Sequence, residues 1–416
     1  MRSSLSAVSL ATALLCAACA EAPITSPITH LPRDLTAGEQ QLVSAGNHFA
    51  FALFHAIAAQ ESAESNLFVS PLSVGMALGM TVNGAMGATR DSMLHALQMD
   101  ALTMDAVNRG YRGVIDLLRG LDPAVELTIA NSIWYRNTIQ PGQAFLDDVR
   151  TWFDAGAQGL DFTSPTAPQT INDWVSAQTQ GMIPTIVDAI PPDVIMYLIN
   201  AIYFKGSWTQ RFDPALTRDA PFHLRDGSTT SVPTMEHKDP APAGYFAGDG
   251  VTVVDLPYGG RAYAMTLVLP GAAGGIDSLV AGLTEARWDA WIAGLDSGGV
   301  IVTMPKFTLR WELALNDVLS TMGMREAFCG PWPTDFGRLY PPGGACISSV
   351  KHKTFVDVYE EGTVAAAVTS VGMAATDVGP PGPLRVVVDR PFLVAIRERL
   401  TGTILFLGRV THPTAG

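Results

Sequence analysis

Hydrophobic positions recur at near-helical spacing early in the chain and at strand spacing later. Phe49, Phe51, Leu53, Phe54 and Ile57 predict an amphipathic helix over 38–60. A short apolar strand over 66–69 stops at Ser70, and Pro71 stands where the first turn of a helix tolerates it. The helix that follows, to Met80, is rich in Ala, Gly and Met, as a buried element is. Residues 85–120 predict further helices, punctuated by Gly84 and Gly87. Residues 125–135 predict a strand, and 171–183 a helix ending at glycine. Met196 to Phe204 is a near-continuous apolar run, which predicts a strand covered on both faces. Residues 251–256 and 264–269 form a hairpin-like pair around Tyr258-Gly259-Gly260. Residues 300–309 alternate as a strand around Pro305, and 313–322 are helical. Helices come first and strands follow, which predicts one α+β domain.

At 416 residues and 48% hydrophobic, the chain can bury a large core. The net charge of −13, with no basic cluster, argues against nucleic acid and against heparin-like polyanions as partners. Its plain role is solubility. The N-terminus predicts export. Arg2 supplies a positive start and Leu5 to Ala18 a short apolar stretch, too short for a membrane span. Residues 1–19 are a signal peptide, and Leu15-Cys16-Ala17-Ala18-Cys19 resembles a bacterial lipobox with Cys19 as the lipidated residue. The alternative is ordinary cleavage after Ala18-Cys19-Ala20, giving a secreted protein. Residues 20–36 are a flexible tether, so membrane contact is expected only through such an anchor. Two cysteines remain beyond the leader, Cys329 and Cys346. In an oxidising compartment they predict a disulfide across a Pro- and Gly-rich loop, worth roughly 3 kcal/mol. Two free or buried thiols are the alternative. No Cys/His spacing suggests a metal, and no motif calls for a cofactor.

Seven separated segments stand in an order that resembles one family. They are 66–80, 171–183, Asn200-Ala201-Ile202-Tyr203-Phe204-Lys205-Gly206-Ser207-Trp208, Met304-Pro305-Lys306-Phe307 with 319–324, 350–363, Asp389-Arg390-Pro391-Phe392, and 405–410. Together they resemble the signatures of the serpins, protease inhibitors that act as suicide substrates. The likeness spans residues 37–413, with a reactive loop over about 360–388. It implies a fold of three β-sheets, a bundle of eight or nine helices and an exposed loop. Ser70, Ser73, Asn200 and His352 fall where that family keeps its shutter, a polar cluster under the main sheet. A sheet that must part needs such a network, because each unsatisfied buried polar group costs about 1–3 kcal/mol.

Glu360, Glu361, Gly362, Thr363, Val364, Ala365, Ala366 and Ala367 resemble the family's hinge. Glycine supplies backbone freedom there. Thr363, Ala365, Ala367, Thr369, Val371 and Met373 would share one face of a strand, and Val364, Ala366, Val368, Ser370 and Gly372 the other. Neither set holds a charge or a proline, so the segment can enter a sheet without stranding a buried charge or losing a ladder donor. Counting from Gly362 as the family does places the scissile bond between Thr376 and Asp377, with Met373, Ala374 and Ala375 as alternatives. None of these is Arg or Lys, so the resemblance implies an elastase-like or subtilisin-like serine protease, or a papain-like cysteine protease, rather than a trypsin-like one. Val364 departs from the family, which favours Glu there, and the stretch from Thr376 to Pro391 is a few residues longer than the family's, with Pro380-Pro381-Gly382-Pro383. The expected partner is a target protease, bound covalently by a monomer. The runner-up is a non-inhibitory serpin acting as a binding or chaperone-like protein. An enzyme is not expected, because no nucleophile elbow, zinc-protease helix, P-loop or dinucleotide fingerprint occurs.

Overall fold

The computed structural model of the chain describes residues 26–364 and 383–414. Cys19, Ala365 to Ala367 and the bait positions from Met373 to Asp377 lie outside the described residues. Helix α1 (Ala37–Ala58) starts on a reciprocal cap: Glu39 N donates to Thr36 Oγ1, and Thr36 N donates to Glu39 Oε2. Strand β1 (Leu67–Val69) runs into α2 (Pro71–Val82), capped by Ser70 Oγ, which accepts from Ser73 N. Then come α3 (Gly87–Ala96), α4 (Met104–Leu118), β2 (Val125–Arg136), α5 (Gln143–Phe153) and β3 (Gly156–Leu160). Helix α6 (Ala167–Gln178) is followed by β4 (Met196–Ser207). A run of strands follows: β5 (Arg218–His223), β6 (Thr229–Glu236), β7 (Ala241–Gly248), β8 (Val251–Tyr258) and β9 (Tyr263–Pro270). Short helices α7 (Ile276–Ala281) and α8 (Glu285–Ala293) lead to β10 (Asp296–Pro305) and β11 (Phe307–Ala314). The chain ends with α9 (Asn316–Leu319), β12 (Lys351–Tyr359), β13 (Gly362–Thr363), β14 (Leu384–Val387), β15 (Phe392–Glu398) and β16 (Ile404–Val410).

The α+β class holds, with nine α-helices among the described residues. The sheets differ in number from the expectation of three. The ladders form two networks, one of ten strands in the order β1-β16-β15-β9-β8-β7-β10-β6-β5 with β14 on β10, the other of six in the order β11-β12-β13-β4-β2-β3. The ten-stranded one is a fusion, because β10 changes partner along its length, from β7 at Asp296–Val300 to β6 at Thr303–Pro305. Three boundaries also move. Residues 300–309 are two strands in different sheets, turned at Lys306, whose N–H donates to Pro233 O (2.8 Å). The helix over 313–322 is cut short because Leu313 and Ala314 pair with His352 and Lys351, so cross-strand pairing overrides local propensity. Helix α6 stops at Gln178, where Gly181 N donates back to Ser176 O (2.7 Å) and closes the end. Along β4 only part of the apolar run is covered: Ala201–Phe204 is buried, whereas Met196, Tyr197 and Leu198 are half-buried. Those three border the site.

Candidate functional site in the six-stranded sheet

Strand β13 is a two-residue wedge between β12 and β4. Thr363 pairs with Val358 on one side and Gly206 on the other, and Gly362 with Tyr359 and Ser207. Below the wedge, β4 continues down to Met196 and β12 down to Lys351 without a described strand between them. A cavity of about 610 Å³ fills the space, lined by both strands, α2 and the α6–β4 connection. Lys351 fastens that connection to β12 through Asp188 (2.6 Å) and also pairs with Glu312 (2.9 Å).

The wedge is anchored from above. A Cβ at position 362 would lie 2.1 Å from Gly206 O, so only glycine fits this approach. Thr363 Oγ1 and the buried Tyr258 hydroxyl share a hydrogen bond of 2.6 Å. Glu360 accepts from Thr217 Oγ1 (2.7 Å) and pairs with Lys306 (2.9 Å). Burial pushes its carboxyl pKa up, but the Thr217 and Lys306 hydrogen bonds outweigh it and hold the group below its ordinary value. Trp208 stacks on Tyr258 at 4.5 Å and donates Nε1–H to Tyr359 O (2.9 Å), while Trp208 N and Phe212 N donate to Glu361 O and Glu360 O (2.9 Å each). Val364, where the wedge ends, sits at φ +47°. A β-branched residue in the left-handed region stores about 1–2 kcal/mol of strain. Val364→Asn, which tolerates that conformation, is expected to slow spontaneous loss of the native form roughly fivefold, by relieving about 1 kcal/mol. The measurement is the native fraction on non-denaturing gels during incubation at constant temperature.

The four expected shutter residues fall into two groups. Ser70 N donates to His352 Nε2 (3.0 Å), Ser70 Oγ donates to Leu405 O (2.7 Å), and Ser73 N completes the first group. Burial pushes the His352 imidazole down to about 4, so the ring is neutral and its proton lies on Nδ1. Asn200 stands apart, donating to Asn131 Oδ1 (2.8 Å), with Asn131 Nδ2 in turn donating to Phe153 O (2.7 Å). Asn200 Oδ1 is buried without a hydrogen-bond partner among the described residues. The cavity lies between the groups, bordered by Asn200 on one wall and by Ser70 and His352 on the other. Two polar residues were missed: Asn131, and Thr354, whose hydroxyl donates to Phe68 O. An asparagine in mid-strand is poorly suited to that position, and this was the available signal for Asn131. Cys329 and Cys346 are bonded, with Cα atoms 4.9 Å apart.

A family model described as serpin (serine protease inhibitor) matches residues 44–413. The chain is 33% identical over 383 residues to an uncharacterised serpin-like protein of Thermococcus kodakarensis, covering 91% of this chain and 87% of the relative. It is 32% identical over 384 residues to the leukocyte elastase inhibitor of Sus scrofa, covering 90% of this chain and all of the relative. Among solved structures, the thermophilic serpin tengpin in its native state superposes with a TM-score of 0.81 at 29% identity, over 93% of this chain and 97% of tengpin. This chain belongs to the serpin family.

Proposed function

We propose that this protein is a suicide-substrate inhibitor of endopeptidases, with elastase-like or subtilisin-like serine proteases as the first target class and papain-like cysteine proteases as the second. The protease attacks at Thr376, or at one of Met373, Ala374 and Ala375, and forms an acyl-enzyme. The cut loop then enters the main sheet as a new strand and carries the acylated protease with it. Strand addition of this kind is the recognised behaviour of serpin loops.

The observation that carries this reading is the open lane below a wedge already in register. Extending both registers one residue at a time places Ala365 opposite Val356 and Phe204, Ala367 opposite Thr354 and Ile202, and Thr369 opposite His352 and Asn200. Along β12, His352, Thr354, Val356 and Val358 are the buried positions. The small uncharged set from Thr363 to Thr369 would therefore meet the core, and position 364 would face outward. That supports insertion despite the departure at Val364. Thr369 would arrive between the two polar groups, beside the unpartnered Asn200 Oδ1. We further propose export by the leader, with acylation at Cys19 as the anchor.

Mixing the purified protein with pancreatic elastase, subtilisin and trypsin should give a denaturation-resistant adduct with elastase or subtilisin and none with trypsin. Protein nicked in the loop by thermolysin, a metalloprotease that forms no acyl-enzyme, should melt tens of degrees higher than the native form, on the order of 20 °C or more. Cleavage without any rise in melting temperature would sink the insertion reading and leave a non-inhibitory serpin.

A further inference from the structure

The loop between α9 and β12 straps the two halves of the parted sheet together at their foot. One limb runs through Cys346 into β12. The limbs are joined by the disulfide, by Cys329 N donating to Ile347 O (3.0 Å), by Ile347 N donating to Ala327 O (2.9 Å) and by Thr334 Oγ1 donating to Ala345 O (2.8 Å). The tip of the loop reaches the opposite half. Gly142 N, at the start of α5, donates to Leu339 O (3.0 Å), and a Cβ on Gly142 would lie 1.9 Å from Arg338 O. Arg338 pairs with Asp148 in α5 (2.7 Å) and donates to Asn83 O (3.0 Å). Helix α5 is tied to β2 through Asn131 and Phe153, and β2 pairs with β4 from Met196 to Gly206. A single loop therefore links β12 to the β4–β2–β3 half, and Cys329, Leu339 and Cys346 line the lower end of the cavity between them.

We propose that the Cys329–Cys346 disulfide is a redox-controlled brake on strand insertion, a reading that rests on the insertion mechanism above. Closed, it fixes the length of the strap and resists separation of β4 from β12. Open, it lets the limbs part and the sheet widen. Cys329 is exposed and Cys346 half-buried, so a thiolate in solution can reach the bond. The reductant is a small thiol or a dithiol protein. Two thiol groups supply two electrons and two protons, leaving Cys329 and Cys346 as free thiols and the reductant as its own disulfide. Opening a cross-link with a sequence separation of 17 restores chain freedom to the strap.

The test compares the disulfide form with the same protein reduced by dithiothreitol and held reduced. Both are incubated below the melting temperature, and conversion to the inserted, urea-resistant form is followed on urea-gradient gels. The reduced protein should convert about tenfold faster. The double variant Cys329→Ser/Cys346→Ser should convert at the fast rate with or without thiol. Arg338→Ala, which removes the tip's ion pair to Asp148 and its bond to Asn83 O while keeping the disulfide, should also convert faster, and thiol should add less to it than to the parent. That last result separates a strap from a general loss of stability. Equal rates for the oxidised and reduced forms, including no conversion in either, overturn the brake while thermolysin-nicked protein that still gains melting temperature keeps the insertion reading. Nicked protein that gains nothing in either redox state brings down the insertion reading and the brake with it.

Discussion

Thr369→Arg is expected to turn the protein from an inhibitor into a substrate. The loop should be cut at an unchanged rate, but the adduct with elastase or subtilisin should fall roughly a hundredfold, the effect of about 3 kcal/mol added to the insertion barrier. The extended register puts position 369 level with His352 and Asn200 on the buried face of β12 and β4. A guanidinium delivered there has no carboxylate among the described cavity-lining residues of that face, and His352 is already neutral by burial. Ser370→Glu is the matched control. Position 370 comes level with Lys351, whose ammonium would receive the carboxylate, and with Ile199 of β4, so inhibition should fall far less than with Thr369→Arg. Both variants should melt like the parent before cleavage. An undiminished adduct with Thr369→Arg would show that the loop does not enter this lane in this register.

Acid should destabilise the native protein through two buried histidines before the depressed carboxyl of Glu360 protonates. Burial pushes the imidazoles of His352 and His237 down to about 4, against an ordinary value of 6.5. His237 lies flat on Phe212 at 3.8 Å, bonds Gln210 O through Nε2 and leaves Nδ1 without a partner among the described residues. Between pH 6.5 and 4 the unfolded chain binds more protons at these two sites than the folded one. Stability therefore rises with pH across that window and is lost as pH falls through it. The loss is about 3 kcal/mol per histidine by pH 4. Glu360 acts at lower pH with the same sign, since its depressed carboxyl contributes stability that disappears only as it is protonated. Urea midpoints at pH 7 and pH 4.5 would show the effect. His352→Gln, which keeps an acceptor for Ser70 N–H but does not titrate, should remove about half of the change. A variant that tracks the parent through the window would assign the acid sensitivity elsewhere.

Much of this site could be anticipated from residue order. Gly362 stands out because it separates an acidic pair from a run of small residues, and the structure puts it where no side chain fits. Ser70, Ser73 and His352 do converge. Asn200 does not join them, because it sits on the far wall of a sheet that has parted, and no one-dimensional pattern reveals the width of a gap. The division at Lys306 was hidden because alternation continues across it, so two strands in separate sheets looked like one. The helix expected over 313–322 starts late, at Asn316, for a related reason: the pairing of β11 with β12 is decided by residues some forty positions away. Thr354 was invisible as a polar contact because threonine is ordinary in strands, and only the packing of β12 over Phe68 gives its hydroxyl a task.

The open lane also gives this protein an age. Two strand edges face each other across it with their pairing unmade among the described residues, so a strand added there would give a better-paired arrangement. On the insertion reading the working form persists because escape is slow, and its melting point should then depend on how fast it is heated. Each molecule can, on that reading, be spent once, and a preparation should lose active molecules even when no protease is present. When the chain's own loop takes the lane, that loss is first order and indifferent to dilution. When a neighbour's strand takes it, the loss accelerates with concentration. The half-life of a stored sample, measured at two dilutions, would tell which of these clocks is running.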